Sequence, residues 1–155
     1  MSMLSERLSW QELFYGIALL SSKRSEDPHT KVGACLVKNN CVLGIGYNGA
    51  PRNFKGSFDC STGEKYTCVV HAEMNCLMNA STIQANFVGG SLYLTLSPCH
   101  DCMKMIAQYQ IAVVYFTNKY KDFDTTVKIA RACGVKLIAL IFDENCRLKE
   151  QRSWA

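Results

Sequence analysis

Four residues stand out for the chemistry their types and spacing allow. His71-Ala72-Glu73 opens one expected helix and Pro98-Cys99-His100-Asp101-Cys102 opens another. Cys99 and Cys102 stand at i and i+3, so both sulfurs lie on one helical face and can reach a single ion. His71 can supply a third ligand. Three protein ligands leave the fourth tetrahedral position of a zinc ion to water, the arrangement of a catalytic rather than a closed structural site. A helix N-terminus favours thiolate over thiol, which lowers the cost of deprotonating two neighbouring cysteines.

Glu73 completes the set. Residues two apart diverge by about 200° around a regular helix, but first-turn side chains lean toward the N-terminal end. His71 can therefore ligate an ion beyond the helix while Glu73 reaches the water. Two thiolates and an imidazole leave a zinc site with no net charge, which mutes its acidifying effect, so a carboxylate proton acceptor is needed. Glu73 is expected to take that proton and return protons as general acid.

The elements that must position these groups follow from periodicity. Ser9 and Glu12 fit a capping box, and Trp10, Leu13, Phe14, Ile17 and Leu20 recur at helical spacing, predicting a helix over 9–24. Two short apolar segments, 32–37 and 41–47, joined by Lys38-Asn39-Asn40, read as a β-hairpin. Residues 51–69 carry no sustained period, and a loop that long is a functional feature or a mobile one. A helix follows at about 71–79, then a strand at 91–96. Ser97 reads as an N-cap with Pro98 at the first helical position. A strand at 111–117, a helix from Asp124 to Cys133 stopped by Gly134, and a last strand at 136–142 complete the pattern. Alternating strands and helices imply parallel strands with right-handed crossovers. The expected fold class is α/β, a three-layer α/β/α sandwich on a mixed five-stranded sheet.

Composition narrows the function classes. At 155 residues, with 48% apolar and 19% charged residues, residues 1–155 fit one globular domain rather than a disordered chain. The longest apolar runs, 111–116 and 137–142, are six residues each, far short of the roughly 20 a membrane helix needs. No membrane partner is expected. No apolar h-region follows Met1, so a cytoplasmic location is the expectation. The net charge of +4 is spread without a basic run or aromatic platform, which argues against a nucleic-acid partner. Nine cysteines in a chain with no visible export signal point to packing or metal rather than disulfides.

The motif H-x-E followed by P-C-x-x-C is the known signature of zinc nucleobase deaminases. On it, the chain resembles the cytidine deaminase superfamily and, within it, the deoxycytidylate deaminases. The likeness runs from about Trp10 to Leu140 and includes Ser22 to Pro28, Lys31-Val32-Gly33-Ala34, Gly44 to Pro51, His71-Ala72-Glu73-Met74-Asn75 and Lys119-Tyr120-Lys121-Asp122. The resemblance implies a cytidine-deaminase-like fold and zinc-dependent hydrolysis of dCMP to dUMP and ammonia, supplying thymidylate synthesis. It also implies a homohexamer activated by dCTP, with Mg2+ accompanying that effector, and inhibited by dTTP. Carried over by position, His71, Cys99 and Cys102 match the zinc ligands, Glu73 the proton shuttle, and Asn48 the asparagine that binds sugar or base. Gly46, Tyr47, Asn48 and Gly49 match an effector-binding segment. Some relatives hold a second, structural zinc near the positions of Cys60 and Cys68.

A nucleotide substrate also needs a cation for its phosphate. Arg24, with Tyr120 and Lys121, is the candidate set on loops beside the sheet's carboxyl ends. Plainer readings stand beside these: Arg24 as a solvated helix-end cation, Asn48-Gly49 as an ordinary turn, and His100 as a solvent-facing residue of a first turn. Other cytosine nucleotides or nucleosides, such as dCTP or cytidine, and a tRNA or single-stranded DNA base remain alternative substrates, because the zinc site fixes the reaction and not the substrate. Outside enzymes, the alternative is a structural zinc-binding module.

Overall fold

A computed structural model of the chain describes residues 6–56 and 68–155. Helix α1 (Trp10–Ser22) is followed by β1 (Gly33–Lys38), β2 (Cys41–Tyr47) and α2 (Ala72–Thr82). Then come β3 (Ser91–Leu96), α3 (His100–Gln108), β4 (Val113–Asn118), α4 (Phe123–Cys133), β5 (Lys136–Phe142) and β6 (Leu148–Ser153).

Local chemistry sets the ends of these elements. The Ser9 side chain accepts from the Glu12 N–H while the Glu12 carboxylate accepts from the Ser9 N–H, the reciprocal capping box expected for α1. Asn39 and Asn40 both take left-handed φ values, 52° and 59°, and turn β1 into β2. Gly134, at φ 71°, ends α4. Helix α3 departs from expectation. It begins at His100 with Cys99 as its N-cap, because the Cys99 sulfur, rather than the Ser97 hydroxyl, accepts from the Cys102 N–H.

The sheet order is β2-β1-β3-β4-β5-β6. β1 runs antiparallel to β2 and β3, β3, β4 and β5 are parallel, and β6 is antiparallel to β5. The sheet thus has six strands instead of the expected five. The extra strand, Leu-Lys-Glu-Gln-Arg-Ser, is polar and exposed along almost its whole length. An edge strand needs no apolar alternation, so periodicity gives no sign of it, and its charges discourage further pairing.

Period-two alternation along β1 divides the core into layers. Cys35 and Val37 face α1 with Phe14, Ala18, Tyr93 and Leu140. Ala34 and Leu36 face the opposite side, where α2, α3 and α4 contribute Ala72, Leu77, Met103, Ile106 and Val127. Close approach is built in at Gly46: a Cβ there would lie 2.4 Å from the Ala72 carbonyl oxygen and 2.5 Å from the Cys76 nitrogen. That contact seats the first turn of α2 against β2 and so fixes where His71 and Glu73 stand. Among the described residues, no helix is long and apolar enough to cross a membrane.

Candidate metal centre

Parallel strands β3 and β4 end side by side, with Leu96 opposite Asn118. β1 runs the other way, so its start meets the same end of the sheet, where the Gly33 N–H donates to Thr95 Oγ1 at 3.1 Å. The crevice at the carboxyl ends of the strands is where such sheets place ligands. Here it is a cavity of about 210 Å³ lined by His71, Glu73, Cys99, Asn48, Asp27, Tyr120 and Lys121, among others.

Each candidate metal-ligating group comes from a helix start. His71 is the N-cap of α2 in extended conformation, and its ring makes no bond to its own helix. The ring turns instead to α3. His71 Nδ1 lies 3.6 Å from Cys99 Sγ and 3.4 Å from Cys102 Sγ. All three ligand atoms fall within 4.8 Å of one another. Zn–S bonds of about 2.3 Å and Zn–N bonds of about 2.05 Å at a tetrahedral angle require an N–S edge of about 3.6 Å. The cluster has that spacing before any ion is added, so the residues fit zinc.

Electrostatics agree with the geometry. The hydrogen bond from Cys102 and, against burial, the one to His71 bring the Cys99 thiol down to about 4. Cys102 is pushed up by its interaction with Cys99 and by burial. His71 is raised by its bond to Cys99, with burial opposing. Glu73, 4% exposed, has its carboxyl pushed up to about 7, chiefly by burial. Such a group can both accept and donate a proton near neutrality.

The remaining expected residues divide between two places. Asn48 lines the cavity, but its amide is already engaged: Oδ1 accepts from the Val32 N–H at 2.8 Å, and Nδ2 donates to the Thr30 carbonyl at 2.8 Å and to Asp27 Oδ2 at 3.3 Å. Only a second Oδ1 lone pair is left for a ligand. Tyr120 and Lys121 line the same cavity. Arg24 does not. Its guanidinium sits 5.6 Å from the Tyr47 ring centroid in a neighbouring cleft of about 340 Å³ shared with Glu26, Gly49, Arg52, Asn75 and Asn79. The structure therefore separates Arg24 from the two residues it was grouped with, and joins it to Tyr47 and Gly49. Gly46 faces α2. His100 is half-exposed beside Asp101, outside the cluster. Cys60 lies outside the described residues, and Cys68 is half-buried.

Sequence reasoning missed Asp27 and Ser97. The buried Asp27 carboxylate accepts from the His29 and Thr30 N–H groups and shapes the cavity wall, a turn the string Asp27-Pro28-His29-Thr30 could have signalled. Ser97 Oγ accepts from the Tyr120 N–H at 2.8 Å, tying the loop after β4 to the turn that carries Cys99.

Comparison with known proteins bears on the same residues. Residues 8–118 match a family model described as the cytidine and deoxycytidylate deaminase zinc-binding region. The human deoxycytidylate deaminase is 39% identical over 126 residues, covering 76% of this chain and 70% of that protein. The deoxycytidylate deaminase of Mycobacterium phage D29 is 36% identical over 127 residues, covering 73% of this chain and 98% of that one. The crystal structure of dCMP deaminase from the cyanophage S-TIM5 in complex with dCMP and dUMP aligns with a TM-score of 0.78 at 34% identity, covering 84% of this chain and 96% of that one.

Proposed function

The chain belongs to the cytidine and deoxycytidylate deaminase family, and from that premise we propose that it hydrolyses dCMP to dUMP and ammonia. The observation that carries the reading is the preformed His71, Cys99 and Cys102 cluster beside the buried Glu73, at a cavity that Lys121 also lines. Zinc held by the three ligands would supply Lewis-acid activation of the attacking water. The Glu73 carboxylate takes a proton from that water as it adds to C4 of the pyrimidine. It passes that proton to ring N3, then takes the proton of the new C4 hydroxyl and delivers it to the departing amine, which leaves as ammonia while the C4 oxygen becomes the carbonyl of dUMP. Burial keeps Glu73 basic enough for the first transfer and acidic enough for the second. Asn48 and Asp27 hold the 27–32 wall against the sugar, and Lys121 with Tyr120 meets the 5′-phosphate.

Arg24 belongs in this reading to an effector rather than to the substrate. Arg24, Tyr47, Gly49 and Arg52 form a second cleft beside the first, a cationic site suited to the phosphates of dCTP, with its Mg2+, or of dTTP. Apolar side chains left exposed on α1 and β2, among them Leu19, Leu20, Val42 and Ile45, support assembly with further copies, a homohexamer by family resemblance. The product would feed thymidylate synthesis.

The test is a substrate panel on the zinc-loaded protein: dCMP, CMP, dCTP, deoxycytidine and a cytosine-containing oligonucleotide, each with and without added dCTP and dTTP. Loss of cytosine absorbance fastest with dCMP, raised by dCTP and lowered by dTTP, is the expected outcome. A preference for the nucleoside or the oligonucleotide overturns the substrate assignment, and no turnover of any substrate overturns the reaction.

A further inference from the structure

The loop from Lys119 to Asp122, which brings Tyr120 and Lys121 to the cavity, is held from one side by Ser97. The Ser97 N–H donates to the Asn118 carbonyl at 2.7 Å, and Ser97 Oγ receives the Tyr120 N–H. Its other support comes from the far end of the chain. The Trp154 N–H donates to the Leu137 carbonyl at 2.8 Å, and Arg131 Nε donates to the Trp154 carbonyl at 3.0 Å, so the backbone beyond β6 is pinned to β5 and α4. The indole then meets Phe123, the first residue of α4, edge-on at 5.3 Å, and Phe123 packs on Phe116 of the core. Lys119 Nζ lies 3.7 Å from the Trp154 ring centroid and 5.0 Å from that of Phe123.

Two further features mark this contact. Asp122 sits at φ 59° with no side-chain cap bond, a left-handed conformation that costs a non-glycine residue and persists only when its surroundings hold it. Trp154 Nε1 is buried with no acceptor among the described residues. The ring is therefore kept for its face and bulk, not for its N–H. The match to the family model ends at residue 118, and Trp154 lies well beyond it.

We propose that Trp154 is a positioning residue for phosphate recognition, clamping Lys119 and Phe123 so that Tyr120 and Lys121 already face the cavity when a nucleoside monophosphate enters. The inference rests on the substrate reading above for its kinetic consequence and on the geometry alone for the ordering of the loop. Ordering a flexible loop before binding removes its entropic cost from the affinity for groups the loop touches and leaves the rest of the site unaffected.

The experiment compares Trp154→Ala, Trp154→Phe and Lys119→Ala in the full-length, zinc-loaded protein. It reads KM and kcat for dCMP and for deoxycytidine, zinc content, and hydrogen exchange at the Tyr120 amide. Loss of a cation–ring contact and of loop order predicts a rise in KM for dCMP of roughly three- to tenfold in Trp154→Ala. Its KM for deoxycytidine, kcat and zinc content stay unchanged while Tyr120 exchanges faster. Trp154→Phe restores wild-type values, and Lys119→Ala moves the same two readouts by less. Equal changes for both substrates, unchanged KM and exchange, or a Trp154→Phe that behaves like Trp154→Ala each overturn the proposal. Should Trp154→Ala fail to fold, Lys119→Ala decides by the same criteria. A wild type that does not deaminate dCMP sinks the substrate reading instead, and Tyr120 exchange then decides the clamp alone.

Discussion

The metal cluster and the walls around it face one cavity and are built in opposite ways. His71, Cys99 and Cys102 come from the starts of α2 and α3, so their positions follow from where two helices begin. The walls draw on the 27–32 turn, Asn48 and the 119–122 loop, joined by side-chain bonds across distant parts of the chain. Asn48 alone links to residues 16 to 21 positions away. The proposed chemistry is thus carried by rigid element ends and the proposed recognition by loops that other residues must hold in place.

Removing a ligand tests the rigid side most severely. Cys99→Ala leaves two ligands, and we expect zinc to fall well below one per chain with dCMP turnover reduced roughly 10³-fold or more. Metal analysis of the purified variant checks this, and full zinc occupancy would place the ion elsewhere. On the recognition side the effect is smaller and falls on KM. Lys121→Ala is expected to raise KM for dCMP about tenfold, with deoxycytidine unaffected, as loss of one charge-assisted phosphate contact predicts. The same ratio in Arg24→Ala should stay flat, because Arg24 lines the other cleft.

The smallest effect belongs to a contact remote from both regions. Arg147 reaches from the turn before β6 to Glu12 and Glu6 near α1. Burial pushes the Glu12 carboxyl up, but the Ser9 N–H and the Arg147 guanidinium outweigh it, so the group titrates below its ordinary value of 4.5. A depressed carboxyl stabilises the fold above the unfolded value and loses that contribution as pH falls through the folded one. Arg147→Ala should therefore lower stability slightly near neutrality and flatten the acid limb of a stability–pH profile. Zinc content and KM should not change. A shift in either would mean that the β6 region reaches the cavity by more than the Trp154 contact.

The same division explains what could be read from the sequence. H-x-E and C-x-x-C survive as text because the ligands are close in sequence and a helix converts spacing directly into direction. The start of α3 was misplaced by two residues, since Ser97 and Pro98 look like a cap and only the fold shows the Cys99 sulfur taking that role. β6 was invisible because a polar edge strand has no apolar period. Charge and a loop position beside the sheet's carboxyl ends group Arg24 with Tyr120 and Lys121. Which loops meet is decided by the β1–β2 hairpin, whose Tyr47 draws Arg24 into its own cleft.

The proposed chemistry has Glu73 moving the protons at a site whose ligands are complete without it. The direct measurement is zinc stoichiometry and dCMP turnover on one sample of Glu73→Gln, which keeps the shape of the side chain and removes its titration. One zinc per chain with kcat reduced about 10²- to 10⁴-fold is expected. Turnover at the wild-type rate in the zinc-loaded variant would contradict it.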